Sequence, residues 1–250
     1  MKIGIIGFGH LGCALACGLI KSGTVGADDL YVCDNSPDAI AAAQAAPISA
    51  TVSHDINHII EKSSIIFLTI KKQVFIELAE TIDRNLLSDK IIISFMAGVK
   101  FEEIYQLIGD ITLIRAMPSL AIASCEGVIG YTASPPEVVD LFNKLGYAFE
   151  SKPDDIEKVM AFSSCGLGFA AYLIDAFAEA GQTMGFTKKE SLNIASTTFR
   201  NAIDAGAYFD TVKAVAVPGG ATEQGILHMD DKGIYKIVAE AVRKAYEKMV

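Results

Sequence analysis

The sequence predicts an α/β domain with a parallel sheet over residues 1–153, followed by an all-α domain over residues 154–250. Three observations predict it. The first part alternates short, apolar, β-branched runs with helix-like segments. Those runs show no polar alternation, as strands buried on both faces require. Beyond the polar stretch "SKPDDIEKV" (151–159) nearly everything reads as helix, so the boundary falls near Lys152–Asp155.

Lys2–Ile6 is the first strand and ends at Gly7, and Gly12–Ser22 reads as a helix rich in Ala, Leu and Cys. "DLYVCD" (29–34) is a second strand. "SPDAIAAAQAA" (36–46) is a helix with Ser36 at its cap and Pro37 in its first turn. Residues 63–70, 90–96, 110–118 and 126–133 read as further strands. Residues 74–86, 101–109 and 135–146 read as the helices between and after them.

In the second domain, apolar-periodic segments run over 156–184, 188–207 and 231–249. "FAAYLIDAFAEAG" (169–181) has few charges on any face, and a helix apolar nearly all round must be covered all round. The sequence therefore predicts a homodimer through the C-terminal domain, or a higher oligomer built from it. The uncharged run Val159–Ile174 falls short of a spanning helix and reads as buried, so no membrane partner is expected.

With 51% hydrophobic and 20% charged residues, the 250-residue chain is globular in composition. A net charge of −9 argues against a nucleic-acid partner, which needs clustered Lys and Arg. A small anion can still be held by backbone N–H groups at a helix start. The cysteines Cys13, Cys17, Cys33, Cys125 and Cys165 form no C-x-x-C pair, and with the scattered histidines they give no metal-ligand spacing. They read as free thiols in a reducing compartment. The opening "MKIGIIGFGHLG" lacks the apolar core of a signal peptide, so a cytoplasmic protein is expected. His10, His54 and His228 have no carboxylate or nucleophile beside them in sequence and read as structural or surface groups.

"GFGHLG" places Gly7, Phe8, Gly9, His10, Leu11 and Gly12 in G-x-G-x-x-G spacing, after a strand and opening a helix. That context predicts a Rossmann-type dinucleotide-binding domain. About 20 residues further on, Asp34 ends the second strand, where a carboxylate accepts bonds from the adenine ribose and repels a 2′-phosphate. Asn35 and Ser36 could instead hold that phosphate, so both NADH and NADPH stay open as cofactors. Further cofactor contacts are expected from the ends of later strands: Ile70, Lys71 and Lys72, then Ala97 and Gly98, then Met117 and Pro118. Lys71 and Lys72 either meet a phosphate or ribose or are solvated loop charges.

"AVPGGATEQG" (216–225) reads, on its own, as a turn starting a helix with Thr222 as the cap. Beside it stand "RAMPS" (115–119) and "SSCGLGFAAYLIDAFAEAG" (163–181). In order and spacing these three segments resemble the pyrroline-5-carboxylate reductases, over essentially the whole chain. The resemblance implies NAD(P)H-dependent reduction of a cyclic imine carboxylate, pyrroline-5-carboxylate to proline. It also implies a helical C-terminal dimerisation domain that interlocks with a second subunit. The implied pocket lies between the nicotinamide and the helical domain, around 163–168 and 217–222, which brings in Ser163, Cys165, Gly166 and Ala221. Thr222 matches the threonine whose hydroxyl meets the ring nitrogen and is the implied catalytic residue. Gly219, Gly220 and neighbouring amides would hold the substrate carboxylate.

This chain departs from the family's pattern. Ser119-Leu120-Ala121 stands where Asn-Thr-Pro is usual, and Ser164-Cys165 where Gly-Ser is usual. Val217 and Ala221 replace a serine and a threonine. Glu223 is either a first-turn acid or a contact for an amine-bearing substrate. Cys165 reads as a small apolar filler rather than a reactive thiol. Two other functions remain open: reduction of a different amino-acid-derived imine, and nucleotide-binding regulation with little catalysis.

Overall fold

The computed structural model describes residues 1–45, 48 and 50–250. Its strands are β1 (Ile3–Ile6), β2 (Leu30–Cys33), β3 (Thr51–Ser53), β4 (Ile65–Leu68), β5 (Ile91–Ser94), β6 (Thr112–Pro118), β7 (Gly127–Tyr131) and β8 (Gly146–Glu150). They form one sheet in the order β3-β2-β1-β4-β5-β6-β7-β8. Helices α1 (His10–Lys21), α2 (Pro37–Ala45), α3 (Ile56–Lys62), α4 (Lys72–Ala79), α5 (Phe101–Ile108) and α6 (Pro136–Leu145) accompany it. The expected last residue of α2, Ala46, lies outside the described residues.

The sheet is parallel from β3 to β6, but β7 runs antiparallel to β6 and β8 parallel to β7. The sheet is thus parallel in the main, as the sequence predicts, with one antiparallel pair at β6–β7. Residues 119–126 are too few for the crossover that a parallel partner needs, so the chain can only turn back. Strand β3 and helix α3 escaped the sequence reading because each is short. Asp55 nonetheless marks the start of α3, its side chain accepting from Asn57 N. Strand β8 also escaped; its residues are at most half-buried, so it lacks the continuous apolar run of the central strands.

The core lies on both faces of the sheet. Ile3, Ile5, Ile65, Phe67, Ile93 and Ile114 enter one buried cluster, and Ile6, Ile66, Leu68, Ile92 and Leu113 the other. Alternate residues of each strand thus face opposite layers, which is why the strands read as unbroken apolar runs. Burying each such side chain contributes about 1.5–3 kcal/mol.

By packing, the chain divides into Met1–Ser164 with Tyr246–Val250, and Cys165–Ala245. Helix α7 (Ile156–Val159) runs through a wide π-type turn, Met160–Ser164, into α8 (Cys165–Thr183). Four more helices follow: α9 (Lys188–Ala205), α10 (Tyr208–Val215), α11 (Ala221–Asp231) and α12 (Ile234–Glu247). Thr187 and Glu190 close the start of α9 with a capping box. Helices α8 and α9 cross where Gly181 meets Ser191, and a Cβ on Gly181 would lie 2.9 Å from Ser191 Oγ. Among the described residues of this second unit only Ala178, Ser191 and Ala195 are buried. Tyr172, Met184, Phe209 and Tyr235 are each at least 70% exposed. The stretch Pro153–Thr183 is long and apolar enough to span a bilayer, and within the single chain Ile156, Glu157, Ala161 and Ala178 are its buried residues. Within the single chain, residues 159–174 are mostly exposed or half-buried.

Candidate active site

A cleft of about 420 Å³ opens at the carboxyl ends of β1, β2 and β4. The sheet order reverses there, with β1 between β2 and β4, and open α/β sheets bind ligands at such a point. Gly7 has φ +99°, a conformation that favours glycine. A Cβ on Gly12 would lie 2.0 Å from Gly7 O, so loop and helix close only with glycine there. A Cβ on Gly9 would meet no described atom within 4 Å, and Gly9 caps α1. Open space at Gly9, with the first-turn amides of α1 behind it, fits a pyrophosphate.

Two side chains hold this loop. Thr69 Oγ1 donates to Gly7 O over 2.6 Å. Asp34 accepts from Phe8 N at 2.6 Å and from Ser36 N at 2.7 Å. Each Asp34 oxygen thus has one backbone donor and keeps acceptor capacity for a ribose hydroxyl. The sequence reading singled out Asp34 but missed Thr69, which lies 62 residues from its partner Gly7. Cys33 also lines the cleft, and burial, then the charges of Asp34 and Asp55, push its thiol up to about 11.

Of the expected cofactor residues, the cleft gathers Gly7, Gly9, Asp34, Asn35, Ile70 and Lys71. Phe8 sends its ring into the core and offers only its amide. Leu11 packs on the core, and His10 is exposed at the start of α1. Ser36 accepts from Ala39 N at 3.4 Å, as expected of a helix cap. Lys72 does not line the cleft; it pairs with Glu103 and holds that carboxyl below the usual range. Met117 and Pro118 are buried in β6. Ala97 and Gly98 follow β5, and Gly98 lines a second cavity of about 430 Å³ with Arg115 and Glu157. Those two form a buried ion pair, 2.5 Å between Arg115 Nη2 and Glu157 Oε1. An arginine inside an apolar strand is a signal for such a pair, but nothing in sequence names the partner.

The segments expected to meet substrate have their own local order. Ser163 donates to Val159 O at 2.7 Å within its own helix, whereas Ser164 donates to Pro118 O at 2.8 Å. Cys165 is half-buried, and burial raises its thiol. A Cβ on Gly166 would meet no described atom within 4 Å. In the other segment, Gly219 has φ +76° and Gly220, not Thr222, caps α11. Thr222 is exposed in the first turn, after Ala221. Gly220 N donates to Val217 O at 2.9 Å, and Gly219 N donates to Glu223 Oε2 at 2.7 Å. An amide assigned from sequence to a substrate carboxylate thus already holds a carboxylate of the chain.

Residues 153–250 match the family described as pyrroline-5-carboxylate reductase dimerisation, and residues 2–98 match the family described as NADP oxidoreductase, coenzyme F420-dependent. Over 99% of its length the chain is 28% identical to the pyrroline-5-carboxylate reductase of Methanosarcina acetivorans, covering 96% of that protein. The whole chain is thus similar to the pyrroline-5-carboxylate reductases, and its residues 153–250 match their dimerisation family. Its fold resembles two solved structures named for that activity. The 1-pyrroline-5-carboxylate reductase of Streptococcus pyogenes is 25% identical with a TM-score of 0.84, and 100% of this chain covers 98% of that one. The pyrroline carboxylate reductase of Plasmodium falciparum, solved with NADP bound, is 22% identical with a TM-score of 0.89, over 100% and 97% of the two chains. An N-terminal α/β nucleotide domain followed by an all-helical dimerisation domain is the reductase-family architecture that the sequence predicts.

Proposed function

We propose that this protein reduces pyrroline-5-carboxylate to proline with NADPH or NADH. The observation that carries the proposal is the joining of a dinucleotide cleft to a helical region, 153–250, that matches the dimerisation region of these reductases. When bound, the reduced nicotinamide supplies a hydride. The residues of this chain supply position and electrostatics. The amides after Gly9 hold the pyrophosphate, and Asp34, Asn35 and Ser36 meet the adenine ribose. Ile70 and Lys71 line the same cleft. Ala97, Gly98, Met117 and Pro118 extend that binding region along the adjoining strand ends, and Lys72, paired with Glu103, flanks it at the start of α4.

On the substrate side, the imine carbon takes the hydride and its nitrogen takes a proton. A cyclic imine is basic enough to arrive protonated near neutral pH, so Thr222 need only orient the N–H. Gly219, Gly220 and Ala221 offer amides to the substrate carboxylate, and Ser163, Cys165 and Gly166 shape the pocket. A second copy of the chain covers the exposed apolar helices of 154–250, giving a homodimer. Asp175 and Glu179 interrupt the apolar helix and favour a protein partner over lipid. Five free cysteines fit a cytoplasmic location.

Purified protein with pyrroline-5-carboxylate is expected to oxidise the reduced cofactor and release proline, with Thr222→Ala about 10–100-fold slower. Cofactor binding without turnover would overturn the proposal. The Gly219–Glu223 hydrogen bond favours a second reading, reduction of another amino-acid-derived imine that lacks the carboxylate or carries an amine. A panel of cyclic imines decides it: faster turnover of uncarboxylated or amine-bearing members supports the second reading.

A further inference from the structure

We propose that Ser164 is a positioning residue for this reaction. Its hydroxyl clamps the wide turn Met160–Ser164 to the end of β6 and so fixes the turn that carries Ser163. The inference rests on the reductase reading for its consequence and on the geometry for the clamp.

Two contacts tie this helical stretch to β6. Arg115 Nη2 meets Glu157 Oε1 at 2.5 Å, and Ser164 Oγ donates to Pro118 O at 2.8 Å. Their spacings agree. Arg115 to Pro118 is three steps of strand, about 10 Å. Glu157 to Ser164 is seven steps of helix, also about 10 Å and close to two turns. Glu157 and Ser164 therefore share the helix face that lies along the strand. Ser163 is rotated by about 100° from that face, and its hydroxyl turns back to Val159 O. Between the two anchors, Val159 packs so closely on β7 that a Cβ on Gly130 would lie 2.7 Å from Val159 Cγ1.

The carbonyl that accepts from Ser164 belongs to Pro118. It ends the strand, at the residue paired with Ile129 in β7. The π-type turn widens the helix where Ser164 reaches across, and such turns cluster at functional sites. This chain carries serine at 164 and cysteine at 165, where the resembled pattern has glycine and then serine.

Hydride transfer depends steeply on geometry, so loss of the clamp acts on the chemical step more than on binding. Ser164→Ala is expected to lower kcat about tenfold while KM for pyrroline-5-carboxylate stays within about twofold. Ser164→Thr keeps the hydroxyl and is expected to restore kcat. Hydrogen exchange followed by mass spectrometry is expected to quicken at 160–164 in Ser164→Ala and not in Ser164→Thr. A lowered melting temperature with unchanged kcat would make the contact merely structural and overturn the proposal. If wild type reduces the substrate and Ser164→Ala matches it, the proposal fails and the reductase reading stands. If wild type reduces nothing, that reading fails, and unchanged exchange in Ser164→Ala would overturn the clamp as well.

Discussion

Phe8 N–H donates to Asp34 Oδ2 across 2.6 Å, so one charge-assisted hydrogen bond joins the glycine loop to the end of β2. The same carboxylate that shapes the loop also lines the cleft. Its negative charge repels a 2′-phosphate. Asp34→Asn is expected to raise the ratio of kcat/KM for NADPH over NADH by about tenfold, since two like charges a few Å apart at a surface repel by roughly 1–4 kcal/mol. Steady-state kinetics with both cofactors checks this. A ratio unmoved by the substitution would take cofactor choice away from Asp34.

Gly12 is the position where the loop tolerates no side chain. Its Cβ would sit 2.0 Å from Gly7 O, against backbone that cannot swing aside. Gly12→Ala must push α1 away from the loop or open the loop itself. Cofactor affinity is expected to fall by about 10–100-fold, the worth of one hydrogen bond from the loop to the charged pyrophosphate. Titration followed by cofactor fluorescence measures it. Native affinity in the variant would mean that the pyrophosphate does not depend on this loop.

Much of this site was legible because local signals carry it. The G-x-G-x-x-G spacing announces a turn that only glycine permits, and Asp34 follows at the end of the next strand. The rest depends on contacts between residues far apart in sequence. Thr69 reaches Gly7, Arg115 reaches Glu157 and Ser164 reaches Pro118, and no local pattern records those pairs. The same limit explains the sheet. Central strands buried on both faces stand out, whereas the three-residue β3 and the half-exposed β8 do not. The reversal at β7 follows from a short connection, residues 119–126, whose length alone rules out a parallel crossover.

Cys33 gives a pH dependence with a definite sign. Burial, then Asp34 and Asp55, raise its thiol from 9.0 to about 11. The unfolded chain therefore releases this proton first as pH rises. Stability from the neutral buried thiol is complete below pH 9 and is lost as pH climbs towards 11. Cys33→Ala is expected to remove that part of the alkaline decline, read as a smaller fall in urea midpoint across this window. In native wild type at neutral pH the thiol resists alkylation, because the thiolate is the nucleophile. Rapid labelling of Cys33 by iodoacetamide at neutral pH would contradict the burial argument.

The helical unit supplies the last prediction. Leu173 lies on α8 and is 40% exposed, beside Tyr172 at 73%. Leu, Phe and Tyr side chains left in water on several helices forgo about 1.5–3 kcal/mol each, which a second copy recovers. An isologous interface meets every change twice, once from each subunit. Leu173→Asp therefore places two carboxylates in an apolar contact with no partner, and an unpaired buried charge is among the costliest changes available. The variant is expected to sediment as a monomer at concentrations where wild type is a dimer, with the dimer Kd raised at least about 100-fold, a scale of roughly 3 kcal/mol. Its sheet domain keeps a core on both faces of its own, so cofactor binding to the cleft persists while reductase activity falls. A wild-type chain that sediments as a monomer would remove the basis for covering these helices with a second copy.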